Sequence, residues 1–398
     1  MLLGVGPDGP IGGRRVAITG VGVLSSVGMG TDAFWSGLHG PAPEGERRVH
    51  DFDPEQWFST KAARHVDRFA QFSVAAADMA LADAGELDAD PGRSGVIMGT
   101  GVGGLQTLET QILVYAEKGV RRISPRLVPM MMSNAGAAAV SMRIGWHGPS
   151  ETVITACAAG AHSIAHAARL VASGRCDVAI GGAAEAGMTI VGTAAFANMT
   201  ALSTTGRSMP FDDRRDGFVM TEGAGALVLE DWDRAVARGA RIYGELAGAA
   251  STADAHHITA PAPGGSGAAA CMQLAMDDAG ILASQVAHIN AHGTSTPLND
   301  QAESDAIGKV FGRHSPPVTS VKGATGHGLG ASGAIEAVAC VLTIAHASIP
   351  PTIGYEERDP EIHLDVVAGV ARPWEPGPIL SNSFGFGGHN GCLVITPA

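Results

Sequence analysis

Short apolar runs alternate with longer Ala-rich stretches along this chain, and near its middle the alternation begins again. That pattern limits the fold more than any other feature. Arg15–Gly20 (RVAITG), Gly95–Gly99 (GVIMG), Thr152–Ala156 (TVITA) and Asp177–Gly181 (DVAIG) have the length and apolar character of buried strands. Between them lie helical patterns at Thr31–Leu38, Val66–Ala84 and Ala158–Ser173. In the second, Phe69, Phe72, Ala76, Met79 and Ala80 recur at three- and four-residue steps, and Gly85 ends the run, as Gly174 ends the third. From about Arg241 the layout repeats, with strands at Val286–Ala291, Val318–Val321 and Ile379–Ser383 and helices at Gln301–Phe311 and Ala331–His346. The class is α/β. Two halves of like layout, 14–240 and 241–398, meet around Asp231–Gly239 with no low-complexity linker, which predicts one pseudo-duplicated body rather than two hinged domains.

Composition excludes several functions. Hydrophobic residues make up 45% and charged residues 16%, enough apolar material to offset the ordering entropy that keeps polar chains disordered. Asp and Glu outnumber Lys and Arg by 39 to 26, and no basic block occurs, which argues against nucleic acid as the main partner. No run approaches the ~18 uncharged apolar residues of a membrane span, and MLLGVGPDGPIGGRR lacks the order of a secretory signal. The five cysteines (157, 176, 271, 340, 392) form no CxxC pair, so neither a disulfide framework nor a metal site is expected, and the cytoplasm is the expected location. The 55 glycines are about twice the usual ~7% share and predict many tight turns and close backbone approaches.

Cys157 stands where TVITA gives way to a small-residue helix, in TACAAG. A thiol at a helix N-terminus meets the positive end of the dipole, which favours thiolate, and the small neighbours leave room for a bulky substrate. A buried structural cysteine remains an alternative at this point, and it is the reading for the other four. His292 follows VAHINA in NAHGTSTP, and His327 lies in KGATGHGLG; each sits in a Gly/Thr loop after a strand, where a scaffold carries reactive groups. One cysteine with two such histidines suits thioester chemistry, the sulfur holding an acyl group while imidazoles relay or stabilise charge. Lys322, five residues before His327, could set charge in the same pocket. SFGFGGHN at 383–390 is either a gate whose backbone N–H groups face a reacting carbonyl or a tight hairpin with packed rings. The literal GxGxxG at Gly99–Gly104 lacks an acidic partner ending a second strand, His162 and His166 lack the Glu of HExxH, and DFDPE at 51–55 lacks the Gly and distal Glu of a calcium loop.

TACAAG, NAHGTSTP, KGATGHGLGASGAIE and NSFGFGGHN, in this order, resemble the elongating β-ketoacyl–acyl carrier protein synthases of the synthase II type, in the thiolase superfamily. The resemblance runs from about Arg14 to the C-terminus. It implies a thiolase fold, two βαβαβαββ halves in a five-layered αβαβα body, and normally a dimer. It implies that Cys157 takes an acyl chain from the phosphopantetheine of acyl carrier protein, with no cofactor bound by the enzyme itself. His292 and His327 match the pair that drives malonyl decarboxylation and stabilises the enolate; Lys322 and Glu336 tune their pocket, and Asp300 and Glu303 are acids that follow the first His motif. Thr294 and Thr296 match positions contacting the pantetheine arm, with His257 and Thr259, in DAHHIT, as nearby substrate-binding residues. Phe386 resembles the gatekeeper whose N–H joins that of Cys157 in an oxyanion hole, Phe384 is its neighbour, and Val102 matches the bend of the acyl pocket.

The chain departs from the common pattern in a short Gly40–Lys61 segment, in Ala158 and Ala159 after the nucleophile, in Met209 where an Arg that engages the carrier is common, and in GGHN where GGTN is commoner. Carrier proteins are acidic, so docking on a chain of net charge −13 needs a local basic patch, expected at Lys61, Arg64, Arg121 and Arg122. Four other functions compete with this one. A polyketide ketosynthase paired with a chain-length factor replaces the homodimer by a heterodimer. A non-catalytic chain-length factor usually lacks the nucleophile that Cys157 supplies. A degradative thiolase would carry a second catalytic cysteine near the C-terminus, and a dinucleotide enzyme rests on the glycine motif alone.

Overall fold

The computed structural model describes residues 13–43, 46–312 and 315–398. Most of the stretch read for a secretory signal, up to residue 12, and two residues of the short 40–61 segment lie outside these. The first half contributes strands β1 (Val16–Ser25), β2 (Ser94–Gly99), β3 (Ser150–Glu151), β4 (Val178–Glu185) and β5 (Gly223–Asp231); the second contributes β6 (Gly244–Ala253), β7 (His288–Asn290), β8 (Val318–Thr319), β9 (Ile379–Gly385) and β10 (His389–Pro397). Their order is β3-β2-β4-β5-β1 in one half and β8-β7-β9-β10-β6 in the other. Counted within each half, both read 3-2-4-5-1, with the first two pairings parallel and the last two antiparallel. The repeat seen in the sequence is therefore a repeat of topology. The two half-sheets touch edge to edge through two pairs, Ala17 with Glu245 and Ile18 with Gly244.

Strands β1, β2, β4 and β5 are buried along their whole length. Helices cover both faces, which is why these strands read as continuous apolar runs rather than as alternations. Helix α1 (Arg68–Ala84) packs outside the first half-sheet, and α3 (Ser266–Ala279) outside the second, beside α4 (Pro297–Phe311). Between the half-sheets lie α2 (Ala159–Ala172) and α5 (Ser332–His346), packed on each other and on both. Here the glycines and alanines find their reason. A Cβ at Gly160 would stand 2.5 Å from Ala334 N, and one at Gly333 would stand 2.7 Å from Ala161 N, so the two helices cross at backbone contact. Helix α5 is buried from Ser332 to Ile344. Leu329–His346 is accordingly long and apolar enough to cross a membrane by length and composition, with mean hydropathy 1.5, although Glu336 interrupts it, so it is not the uncharged run whose absence was expected; 89% of it is buried in this core.

Two other expectations change. TVITA is not a regular strand: the ladder ends at Glu151, the Val153 carbonyl still accepts from the Thr100 N–H at 3.2 Å, and the chain then turns with Ala156 at φ 49°. The insertion between β2 and β3 carries helices Leu105–Lys118, Leu127–Met131 and Ala135–Ile144 that the apolar pattern did not announce, because Ile112, Leu113, Tyr115 and Met142 face outward.

His288 on β7 is fully buried with neither ring nitrogen hydrogen-bonded, and burial pushes it down to about 3. The unfolded chain takes up this proton below its ordinary value of ~6.5 while the folded one does not, so the stability this group leaves intact above that value is lost as pH falls. His288→Leu is expected to stabilise the fold at pH 5 by about 2 kcal/mol relative to its effect at pH 7.5. Thermal unfolding at the two pH values checks it; equal shifts would refute the assignment.

Candidate active site

Four segments, carrying Cys157, His292, His327 and the 383–390 hairpin, converge on a cavity of about 520 Å³. Ala156, at positive φ, swings Cys157 out just ahead of α2, whose first residues are small enough to let the hairpin approach. Such a conformation in a residue with a Cβ costs of order 1–3 kcal/mol and is sustained by its surroundings. The hairpin expected at 383–390 exists: β9 and β10 close at the pair Gly385–His389, with Gly387 and Gly388 at φ 87° and 74°. It also borders the cavity. A Cβ at Gly385 would stand 3.1 Å from Cys157 N, and the Phe386 N–H points at the Cys157 sulfur. His162 ties the two loops together, its Nδ1 2.8 Å from the Thr155 hydroxyl and its Nε2 3.1 Å from the Asn390 carbonyl. That is its role in place of metal ligation.

The Cys157 sulfur lies 3.1 Å from His327 Nε2, and His327 Nδ1 lies 2.9 Å from the Ser332 hydroxyl. The two imidazoles meet edge to face at 5.4 Å, and Phe218 sets its edge against His327 at 5.1 Å. Behind them Lys322 Nζ donates to the His292 carbonyl at 2.6 Å, contacts His292 Nδ1 at 3.3 Å and pairs with Glu336. An ammonium only donates, so His292 Nδ1 is an acceptor and its proton sits on Nε2.

Burial dominates the electrostatics. It pushes the Cys157 thiol up to about 12, against the Lys322 charge and the Phe386 N–H. The helix end, expected to favour thiolate, is outweighed by burial at a residue only 7% exposed, which leaves a thiol. Burial, then Lys322, hold His327 well below its ordinary value, and burial, Lys322 and His327 do the same for His292. Both imidazoles are neutral, and a neutral Nε2 beside a thiol is a proton acceptor. Burial raises Glu336, with Lys322 opposing.

Of the expected residues, Cys157, His292, His327, Val102, Thr259, Thr294, Thr296, Glu303, Phe384 and Phe386 line the cavity. The acids on α4 act on backbone. Glu303 accepts from the N–H groups of His292 and Gly293 and from Asn382, and Asp300 accepts from those of Thr294 and Phe211. His257 is outside the lining; its Nδ1 accepts the N–H groups of Thr259 and Ala260 and shapes their turn. Lys61, Arg64, Arg121 and Arg122 are exposed, apart from the cavity, and without an ion pair among the described residues. Met209, at the expected carrier-contact position, is buried. Cys392 is fully buried against Asn382, as expected of a structural cysteine.

Sequence reasoning missed Ser332, Phe218 and Glu185. The last is fully buried, raised by burial to about 7, and accepts from the N–H groups of Gly101 and Gly330, so that it staples the glycine motif of one half to the His327 loop of the other. The glycines of GxGxxG serve that approach: a Cβ at Gly101 would meet the Glu185 carboxylate at 2.7 Å.

The beta-ketoacyl synthase N-terminal domain matches residues 40–235, and the C-terminal domain residues 243–356. The chain is 44% identical to 3-oxoacyl-[acyl-carrier-protein] synthase 2 of Synechocystis sp. and 42% identical to that of Staphylococcus aureus, in each case over 96% of this chain and 98% of the relative. Among solved structures it is similar to the ishigamide ketosynthase/chain length factor (TM-score 0.92, 35% identity, 97% of this chain and 100% of that one). It is also similar to a type II polyketide synthase assembly of acyl-carrier protein with a ketosynthase bound to the hexaketide (TM-score 0.89, 32% identity, the same coverage). With this topology, site and kinship, the chain has the thiolase fold and belongs to the beta-ketoacyl synthase family.

Proposed function

We propose that this protein is a β-ketoacyl–acyl carrier protein synthase that condenses a malonyl unit, with loss of carbon dioxide, onto an acyl chain held on Cys157, in fatty acid or polyketide synthesis. The observation that carries the reading is the Cys157 sulfur 3.1 Å from a neutral His327 Nε2, in a cavity shared with His292. In this reading the nucleophile belongs to the half 14–240 and the histidines to the half 241–398.

In acyl transfer His327 Nε2 takes the Cys157 proton as the sulfur attacks the carrier-bound thioester. The tetrahedral oxyanion faces the N–H groups of Cys157 and Phe386, and donors of that kind are worth about 2.7–4 kcal/mol each in a water-poor site. Collapse expels the pantetheine thiol, which leaves with the proton. In condensation the malonyl thioester loses carbon dioxide, and the enolate oxygen is stabilised by the Nε2–H of His292 and by His327. The carbanion attacks the Cys157 thioester and expels the sulfur as thiolate, which takes up a proton from solvent by way of His327 Nε2. Holding both partners in one cavity removes much of the orientational cost of joining them. The pantetheine arm is proposed to run along Thr259, Thr294 and Thr296, with His257 shaping its wall, Val102 at the acyl bend and Phe384 beside the gate. The acyl carrier protein is proposed to dock on Lys61, Arg64, Arg121 and Arg122.

The likeness to a ketosynthase/chain length factor favours a second reading, in which the working unit is a heterodimer rather than a homodimer. The assembled thiol and histidines speak against a non-catalytic subunit. Intact-protein mass, recorded after mixing the chain alone with a panel of acyl carrier proteins, tests both. The expected result is one acyl adduct per chain, absent in Cys157→Ala, with loading at limiting carrier reduced severalfold by Arg121→Glu/Arg122→Glu. No adduct from any acyl group would remove the homodimer reading and require a partner subunit.

A further inference from the structure

Within that proposed function, which this inference rests on, the two histidines differ in what holds their far nitrogens. His292 Nδ1 faces the Lys322 ammonium, a pure donor, so its tautomer is fixed with the proton on Nε2. His327 Nδ1 faces the Ser332 hydroxyl at 2.9 Å, and a hydroxyl either donates or accepts. Ser332 is 3% exposed, is the first residue of α5, and caps nothing: the cap position is Ala331. The reaction asks two opposite things of His327. To draw the proton from Cys157 its Nε2 must be bare, which puts the ring proton on Nδ1, where Ser332 accepts it. To stabilise an enolate, Nε2 must carry hydrogen, which leaves Nδ1 bare, and the Ser332 hydroxyl then donates to it. Both states hold the same number of protons, so the site passes between them by proton exchange at unchanged charge.

We propose that Ser332 is a positioning residue that supports His327 in both tautomers and so lets one imidazole serve acyl loading and decarboxylation in turn. The histidine pair is thus asymmetric, one locked and one switchable.

The test reads the two half-reactions separately: acyl loading by intact mass, and carbon dioxide release from malonyl carrier protein. In Ser332→Ala, Nδ1 is left buried without a partner, and both rates are expected to fall by about tenfold or more, the scale of losing one supporting hydrogen bond behind a reacting group. Ser332→Thr keeps the hydroxyl and is expected to stay within threefold of the parent. Ser332→Asp offers only acceptors once ionised, so it is assayed well above the value of about 7 to which burial raises the neighbouring Glu336 carboxyl. There it pins the proton of a neutral ring on Nδ1, and loading should persist while decarboxylation falls by about tenfold or more. A merely structural serine would not split the two rates. Ser332→Ala folded and within threefold in both half-reactions would overturn the proposal, as would a Ser332→Asp that lowers both equally. A parent chain that neither loads Cys157 nor releases carbon dioxide would instead overturn the function reading beneath it.

Discussion

Cys157→Ala is expected to lose condensation by about 10⁴-fold or more, the scale on which removing an enzymatic nucleophile acts, while malonyl carrier protein continues to lose carbon dioxide. The split follows from geometry. Every group that would face the enolate lies on the second half of the chain: His292, His327, Lys322 and Glu336 contact one another and Ser332, and among the described residues the sulfur's hydrogen bond to that network is to His327 Nε2. Truncating Cys157 frees that nitrogen without disturbing what orients it. Product formation and carbon dioxide release, measured in parallel on the same preparation, separate the outcomes. Condensation surviving above about one per cent of the parent would mean that the acyl chain is not carried on this sulfur.

The sequence displayed the architecture where physics makes it local. Strands buried on both faces must be apolar throughout, and helices crossing at backbone contact must be Ala and Gly, so the alternation and the duplication could be read directly. The length of a strand could not. TVITA has the composition of a strand, yet its pairing is cut to Ser150–Glu151 because the segment is spent on presenting Cys157. The helices between β2 and β3 were hidden for the opposite reason, since Ile112, Leu113, Tyr115, Val128 and Met142 face outward and blur any single inward stripe.

For the site, the loop histidines, Lys322 and the helix-entry cysteine were legible because Gly/Thr loops after strands are places where little else is needed. Ser332 was not, because a serine at the start of a helix reads as a cap, and only the folded chain brings its hydroxyl to His327. Glu185 ends a strand and would pass for a surface acid until Gly101 and Gly330 are seen to close over it. At Cys157 the helix end is visible in the sequence, but the burial that outweighs it has no local signature.

Lys322 carries the second large effect, and it acts through two connections that can be pulled apart. All three of its donors are engaged, by Glu336, by the His292 carbonyl and by His292 Nδ1. Lys322→Met leaves Glu336 buried on α5 with one oxygen that already lacks a hydrogen bond. Breaking a buried ion pair from one side costs about 3–5 kcal/mol, and because burial already raises Glu336, uptake of a proton should hold the loss at the lower end. The same change frees His292 to take either tautomer and removes a positive charge from behind the enolate, so decarboxylation is expected to fall by about 10²-fold, more than acyl loading. The double variant Lys322→Met/Glu336→Gln removes both charges in near-isosteric form. Its thermal stability is expected to recover most of the loss, since a neutral buried pair no longer strands a charge, while decarboxylation stays low because His292 Nδ1 still lacks its donor. Recovery of decarboxylation to within tenfold of the parent would reduce Lys322 to a counter-ion for Glu336. Recovery of stability alone would assign it to the chemistry, as the group that decides which nitrogen of His292 carries the proton.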